Sequence, residues 1–174
     1  SRRNASRQRG HGWRFADSLD TDEGVVESYR FRMTVECGAL QEPGYRLDPA
    51  RIAKLRAAHE ALLTKGRRKI DGAEWFAINA EFHETVAGGS QNRFFVQAVR
   101  QQNNLRRMQE FGEFPALSDE RIAQSCREHL AILEALERGD QAWASALLLR
   151  HLQLAVRYID EVVEPAAPPA MRRA

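Results

Sequence analysis

From Asp20 onward, apolar residues recur every three or four positions, the spacing of one helix face, in runs separated by Gly, Pro, Ser and Asp. Thr21, with Asp22 and Glu23 in the first turn, predicts the start of a helix that reaches about Leu40. Its inward positions are Val25, Val26, Tyr29, Met33, Cys37 and Leu40, and Pro43-Gly44 stops it. Asp48-Pro49 is a cap followed by a proline at the first helical position. The second helix carries Ile52, Leu55, Ala58/His59, Leu62 and Leu63, and Gly66 with a basic run ends it. His59 has no partner at ligand spacing and is expected to be partly exposed.

A third helix opens at Asp71, carries Trp75, Phe76, Ile78, Phe82, Val86 and Ala87, and closes at Gly88-Gly89. A fourth is expected from Ser90, with Phe94, Phe95, Ala98, Val99, Leu105 and Met108, broken by Gly112 and Pro115. Ser118-Asp119-Glu120 begins a fifth, with Ile122, Cys126, Ile132, Leu133 and Leu136. Gly139-Asp140 combines a C-terminal stop with a new cap. The sixth helix carries Trp143, Leu147, Leu154 and Tyr158 and ends before Pro165. Trp75, Trp143, Phe94 and Phe95 are expected in the core. The pattern predicts an all-α antiparallel bundle of six to seven helices.

Composition fits this picture. The 174 residues are 43% hydrophobic and 29% charged, ordinary for a globular domain. No run approaches 18 apolar residues, which excludes a membrane-spanning helix, and the start lacks the pattern of a secretory signal. Two cysteines are too few for a disulfide framework and fit a cytoplasmic location. Cys126 is read as a small buried hydrophobe. Charge is uneven: five arginines and no acid give residues 1–16 a charge of +5, so the formal +2 of the whole leaves −3 for the remainder. A basic leader on an acidic body suits a nucleic-acid-facing end joined to something else, or simply a solvated tail. The division expected is a linker at 1–18, a helical domain at 19–164 and a disordered tail at 165–174.

The chemistry lies in polar residues on apolar faces. Asn79 and His83 stand four apart on the third helix, and so share a face. His129 is in phase with Cys126 and Leu133 in the fifth helix, and His151 with Leu147 and Leu154 in the sixth. Such histidines can simply be hydrogen-bonded core residues. Three neutral imidazoles converging in a bundle can also hold one divalent metal (zinc, nickel, manganese or iron), with Asn79 as an oxygen ligand or as a group orienting a histidine. Arg32, three after Tyr29 and four before Glu36, could clamp a carboxylate or form a surface pair with Glu36. Gln102 interrupts the fourth helix's stripe, either lining the same cavity or marking the stripe's border. Glu84 and Glu128 adjoin candidate ligands and so point about 100° away from them, leaving no acid at a spacing that serves the site. That disfavours a three-histidine metalloenzyme, the rival reading; a metal-free dimerisation module is the third.

The runs NAEFHETVAGGSQNRFF (79–95) and CREHLAILEALERGDQAWASALLLRHL (126–152) resemble the C-terminal effector (FCD) domain of FadR-subgroup GntR transcription regulators. The segment SYRFRMTVECGALQEPGYRL (28–47) is most similar to the vanillate-regulator branch, and GHGWRF (10–15) resembles the end of the wing of a winged helix-turn-helix. The resemblance implies a bundle holding a divalent metal at Asn79, His83, His129 and His151. It also implies a small organic-acid effector beside the metal, met by Arg32 in the cavity that Gln102 could line, and no enzymatic activity. It further implies a homodimer that reaches operator DNA through an N-terminal domain mostly absent here, with no DNA contacts from the helical body. The family's usual first ligand is Asp, and Asn79 leaves this site with one negative charge fewer.

Overall fold

The computed structural model describes residues 22–65, 72–110 and 117–163. They form six helices: α1 (Asp22–Leu40), α2 (Pro49–Lys65), α3 (Gly72–Gly88), α4 (Arg93–Glu110), α5 (Asp119–Glu137) and α6 (Gln141–Val163). No strand occurs among the described residues. The expected linker at 1–18 and tail at 165–174 lie outside them.

Local chemistry sets most of the boundaries. Asp48 Oδ1 accepts from the Ala50 amide at 2.9 Å and Pro49 takes the first helical position, which leaves no orphan N–H there. Ser118 caps α5 by accepting from the Arg121 amide at 3.1 Å. Gly139 adopts φ 74° after α5; its N–H reaches the Leu136 carbonyl and that of Asp140 reaches Ala135. Asp140 then caps α6 through the Trp143 amide. This tight connection folds α5 and α6 into an antiparallel hairpin.

The start of α4 differs from expectation. Ser90 closes α3 instead, its hydroxyl donating to the Ala87 carbonyl at 2.7 Å. Gln91 is left-handed at φ 59°, and Asn92 is the cap, accepting from the Phe94 amide. The left-handed residue breaks the helical run that a continuous pattern suggests.

Sequence neighbours pack in α2–α3, α3–α4 and α5–α6, whereas α1 lies against α6, α4 and α3, and α2 against α5. The main core joins Tyr29 and Leu40 of α1, Ile52 and Leu55 of α2, Phe82 and Val86 of α3, Ile132 and Leu133 of α5, and Leu148 and Leu152 of α6. Cys126 is fully buried beside Leu62, Trp75 and Ile122, as expected. Trp143 and Phe94 are not core: they are 56% and 66% exposed. The inward line of α6 is Ala144, Leu148, His151 and Leu152, which leaves Trp143 on the outer face.

Between α1 and α2, Tyr45 is buried and donates its hydroxyl to the Val86 carbonyl at 2.9 Å. Its ring crosses Gly89 so closely that a Cβ there would lie 2.4 Å from it. Glycine at that position allows the α1–α2 loop to seat on the end of α3, and with it the helix that carries Asn79 and His83.

Candidate metal centre

Three helices bring the expected histidines together. His83 from α3, His129 from α5 and His151 from α6 are 1%, 0% and 4% exposed, and each offers a ring nitrogen within 4.8 Å of the others. Asn79 is buried on α3, one turn before His83. Phe82 stacks on His129 with ring centroids 3.8 Å apart, holding that imidazole against a flat apolar surface.

Burial dominates the electrostatics. Removal from water pushes His83 and His129 well below the usual histidine value, and the charge of Arg32 on His83 and of His151 on His129 adds to the effect. His151 is lowered by burial too, against the opposing pull of Glu128. Each ring is therefore neutral near pH 7, with one N–H and one lone pair.

The hydrogen bonds decide which nitrogen carries the proton. Glu36 Oε2 lies 2.6 Å from His83 Nδ1, and Glu128 Oε2 lies 2.6 Å from His151 Nδ1. A carboxylate can only accept, so in both rings Nδ1 donates and Nε2 keeps its lone pair. Nε2 of His151 faces Nε2 of His129 at 3.2 Å. Two nitrogens bound to one ion at about 2.0–2.1 Å and roughly 90–109° stand about 2.9–3.4 Å apart, so this spacing fits a shared metal. Three neutral imidazole nitrogens and a nearby amide oxygen suit zinc, nickel, manganese or iron.

The carboxylates are where the sequence reading fell short. An acid beside a ligand in the chain points away from that ligand, but it can serve another helix. Glu128 turns to His151 on α6 rather than to its neighbour His129, while Arg121 approaches the same oxygen at 3.5 Å. Burial raises the Glu128 pKa, but the hydrogen bonds from His151 and Gln124 and the nearby Arg121 cation hold it below the ordinary value. Glu36 reaches in from α1. Glu84 stays outside, paired with Arg100 and Asn103.

Arg32 pairs with Glu36 through Nε at 2.7 Å, but as a buried pair with both side chains 1% exposed, not as a surface pair. Its Nη2 is buried without a hydrogen-bond partner, and its guanidinium lies over the Tyr29 ring. Gln102 is half-buried and accepts from Ser28 Oγ at 2.6 Å. Ser28 is one turn before Arg32 on α1, so Gln102 lies alongside the same face of that helix.

His59, expected to be partly exposed, is fully buried. Its Nε2 is 2.8 Å from His129 Nδ1, and its own Nδ1 is 2.8 Å from the Leu55 carbonyl. Burial lowers its pKa as well. The only sequence signal was its phase with Leu55 and Leu62, which places it on the inward face of α2.

No described helix is long and apolar enough to cross a membrane. A transcriptional regulator from Streptomyces ambofaciens, described as an uncharacterized HTH-type regulator in an unstable DNA locus, is 25% identical over 139 residues. The match takes in 79% of this chain and 56% of that relative, so the chain spans about half the length of the curated relative it matches. The model of the FCD domain matches residues 27–154, from α1 to well into α6 and across every histidine of the centre. This chain belongs to the FCD domain family.

Proposed function

We propose that this chain is the effector-sensing domain of a transcription regulator, in which a divalent metal bound by His83, His129 and His151 anchors a small organic acid. The observation that carries the reading is the convergence of one ring nitrogen from each of His83, His129 and His151 within 4.8 Å, while the Nδ1 of each has a partner of its own in Glu36, His59 or Glu128. Asn79 offers an amide oxygen from the same face as His83. The metal would polarise and hold a carboxylate placed on it; everything else is the work of the chain's own side chains.

Charge supports an anionic effector. The three imidazoles and Asn79 are neutral, and the Glu36 and Glu128 carboxylates face Arg32 and Arg121 respectively. A divalent ion would keep its positive charge in a buried site, and an entering carboxylate offsets that. Arg32 Nη2, a buried donor without an acceptor, supplies the second contact, and Gln102 borders it from α4. Among the described residues, the two acids nearest the histidines are committed to Nδ1 atoms, so neither is placed as a general base; that favours sensing over metal-assisted hydrolysis.

Arg32, Glu36 and His83 form one bonded line from α1 to the centre. An effector that prefers one position of α1 would shift the population of positions available to a DNA-binding domain attached before it. A cytoplasmic homodimer matched to a palindromic operator completes the reading. The test is elemental analysis of the purified chain beside the His83→Ala/His151→Ala double variant. Near-stoichiometric metal lost in the variant supports the centre and leads to a thermal-shift screen of carboxylates with and without that metal. Absence of metal from both, even after incubation with divalent ions, refutes it.

A further inference from the structure

His59 is not among the nitrogens that converge, yet it governs one of them. The Leu55 carbonyl can only accept, so the 2.8 Å contact to His59 Nδ1 places the His59 proton on Nδ1. Its Nε2 is then an acceptor, and at 2.8 Å it takes the Nδ1 proton of His129. His129 Nε2 is left with a bare lone pair toward the centre. One backbone carbonyl thus sets the tautomer of a residue on another helix through two imidazoles.

The alternative is close at hand. His129 Nε2 stands 3.2 Å from His151 Nε2. Were His129 protonated there, the two rings would satisfy each other by a direct N–H···N bond and the centre would lose two donors at once. Glu128 holds His151 in the acceptor tautomer, so nothing on the His151 side prevents this closure. The stacked Phe82 ring fixes the plane of His129 without choosing a tautomer, and Phe82 also meets the edge of His59 at 5.6 Å.

Building on the metal-centre reading, we infer that His59 is a positioning residue that keeps His129 in the metal-accepting tautomer and keeps the His129–His151 pair from closing on itself. Its counterparts are Glu36 and Glu128, which do the same for His83 and His151 with carboxylates. His59 does it without charge, so the third ligand gains orientation and no added anion near the ion.

The test combines a tautomer measurement with metal affinity. Long-range proton–nitrogen spectra of the metal-free, ¹⁵N-labelled chain, with His129 assigned by its loss in His129→Asn, should show its proton on Nδ1. In His59→Phe, which keeps the ring's bulk but accepts nothing, the proton should move to Nε2, and zinc affinity by chelator competition should fall roughly 10–100-fold. His59→Gln, whose amide oxygen can accept from His129 Nδ1, should restore both to near wild type. Wild-type His129 carrying its proton on Nε2, or His59→Phe binding zinc as tightly as wild type, overturns the inference. A wild-type chain that takes up none of zinc, nickel, manganese or iron refutes the metal-centre reading instead, while the tautomers of the metal-free chain still decide the relay.

Discussion

Glu36 on α1 accepts a hydrogen bond from His83 on α3 at 2.6 Å while its other oxygen takes the Arg32 Nε proton at 2.7 Å, and all three side chains are 1% exposed. A buried carboxylate bonded in this way is both the countercharge of an arginine and the orienting partner of a candidate metal ligand.

Removing it should be costly for that reason. Glu36→Ala leaves the Arg32 cation buried and unpaired, with an expected loss of about 3–5 kcal/mol in urea unfolding. Arg32→Met/Glu36→Leu, which removes both charges, should recover much of that loss. A Glu36→Ala cost below about 1 kcal/mol would show that water or another group reaches the guanidinium.

Acid should weaken the metal-free fold in a defined window. His83, His129, His151 and His59 all have folded pKa values below the ordinary 6.5. Below about 6.5 the unfolded chain therefore binds more protons than the folded one, and stability falls as pH falls. Above that value the histidine contribution is fully present. Glu128, also lowered, adds a loss of the same sign further down, as pH falls from its ordinary 4.5 through its folded value. Urea midpoints measured with chelator present should be flat from pH 8 to 7 and decline from 6.5 to 5. A midpoint that rises on acidification would mean that these rings are charged in the fold.

Asn79→Asp tests whether residue 79 touches the ion. An anionic oxygen in place of a neutral one should tighten divalent-metal binding by about tenfold or more, because affinity at oxygen ligands rises with ligand charge. It should also reduce the advantage that an added carboxylate gives, since the ion's charge is then partly offset. Competition titrations in acetate and in acetate-free buffer measure both effects. Unchanged affinity in the variant would put residue 79 outside the coordination sphere.

Gly89→Ala should destabilise the fold by about 1–3 kcal/mol, since the added methyl meets the Tyr45 ring and the tightly packed loop must shift. Tyr45→Phe should cost about 1 kcal/mol by removing the hydroxyl's bond to the Val86 carbonyl, which then keeps the Gly89 amide as its donor. Combining Gly89→Ala with Tyr45→Ala relieves the clash, so the double variant should cost less than the sum of Gly89→Ala and Tyr45→Ala measured singly. Thermal or urea unfolding of these variants checks this.

Much of the architecture was legible in the chain because it is local. Asp48-Pro49, Ser118 and Gly139-Asp140 act within a turn or two of themselves, and the inward phase of His83, His129 and His151 follows from spacing along single helices. The α4 start was misread because Ser90 and Asn92 both satisfy the capping preference, and only the left-handed backbone at Gln91 chooses between them. Trp143 and Phe94 were misread because aromatic character does not specify which side of a helix a neighbour covers. The rest required tertiary structure. The partners of His129 and His151 come from α2 and α5, and His59 lies 70 residues from the ring it orients. Periodicity says which side of a helix faces inward, but two inward faces are brought to hydrogen-bonding distance only by how whole helices cross and are rotated against each other. The sequence by itself thus determined the helices and the three histidines, and the packing of α1, α2 and α5 around them decided which nitrogen each one presents.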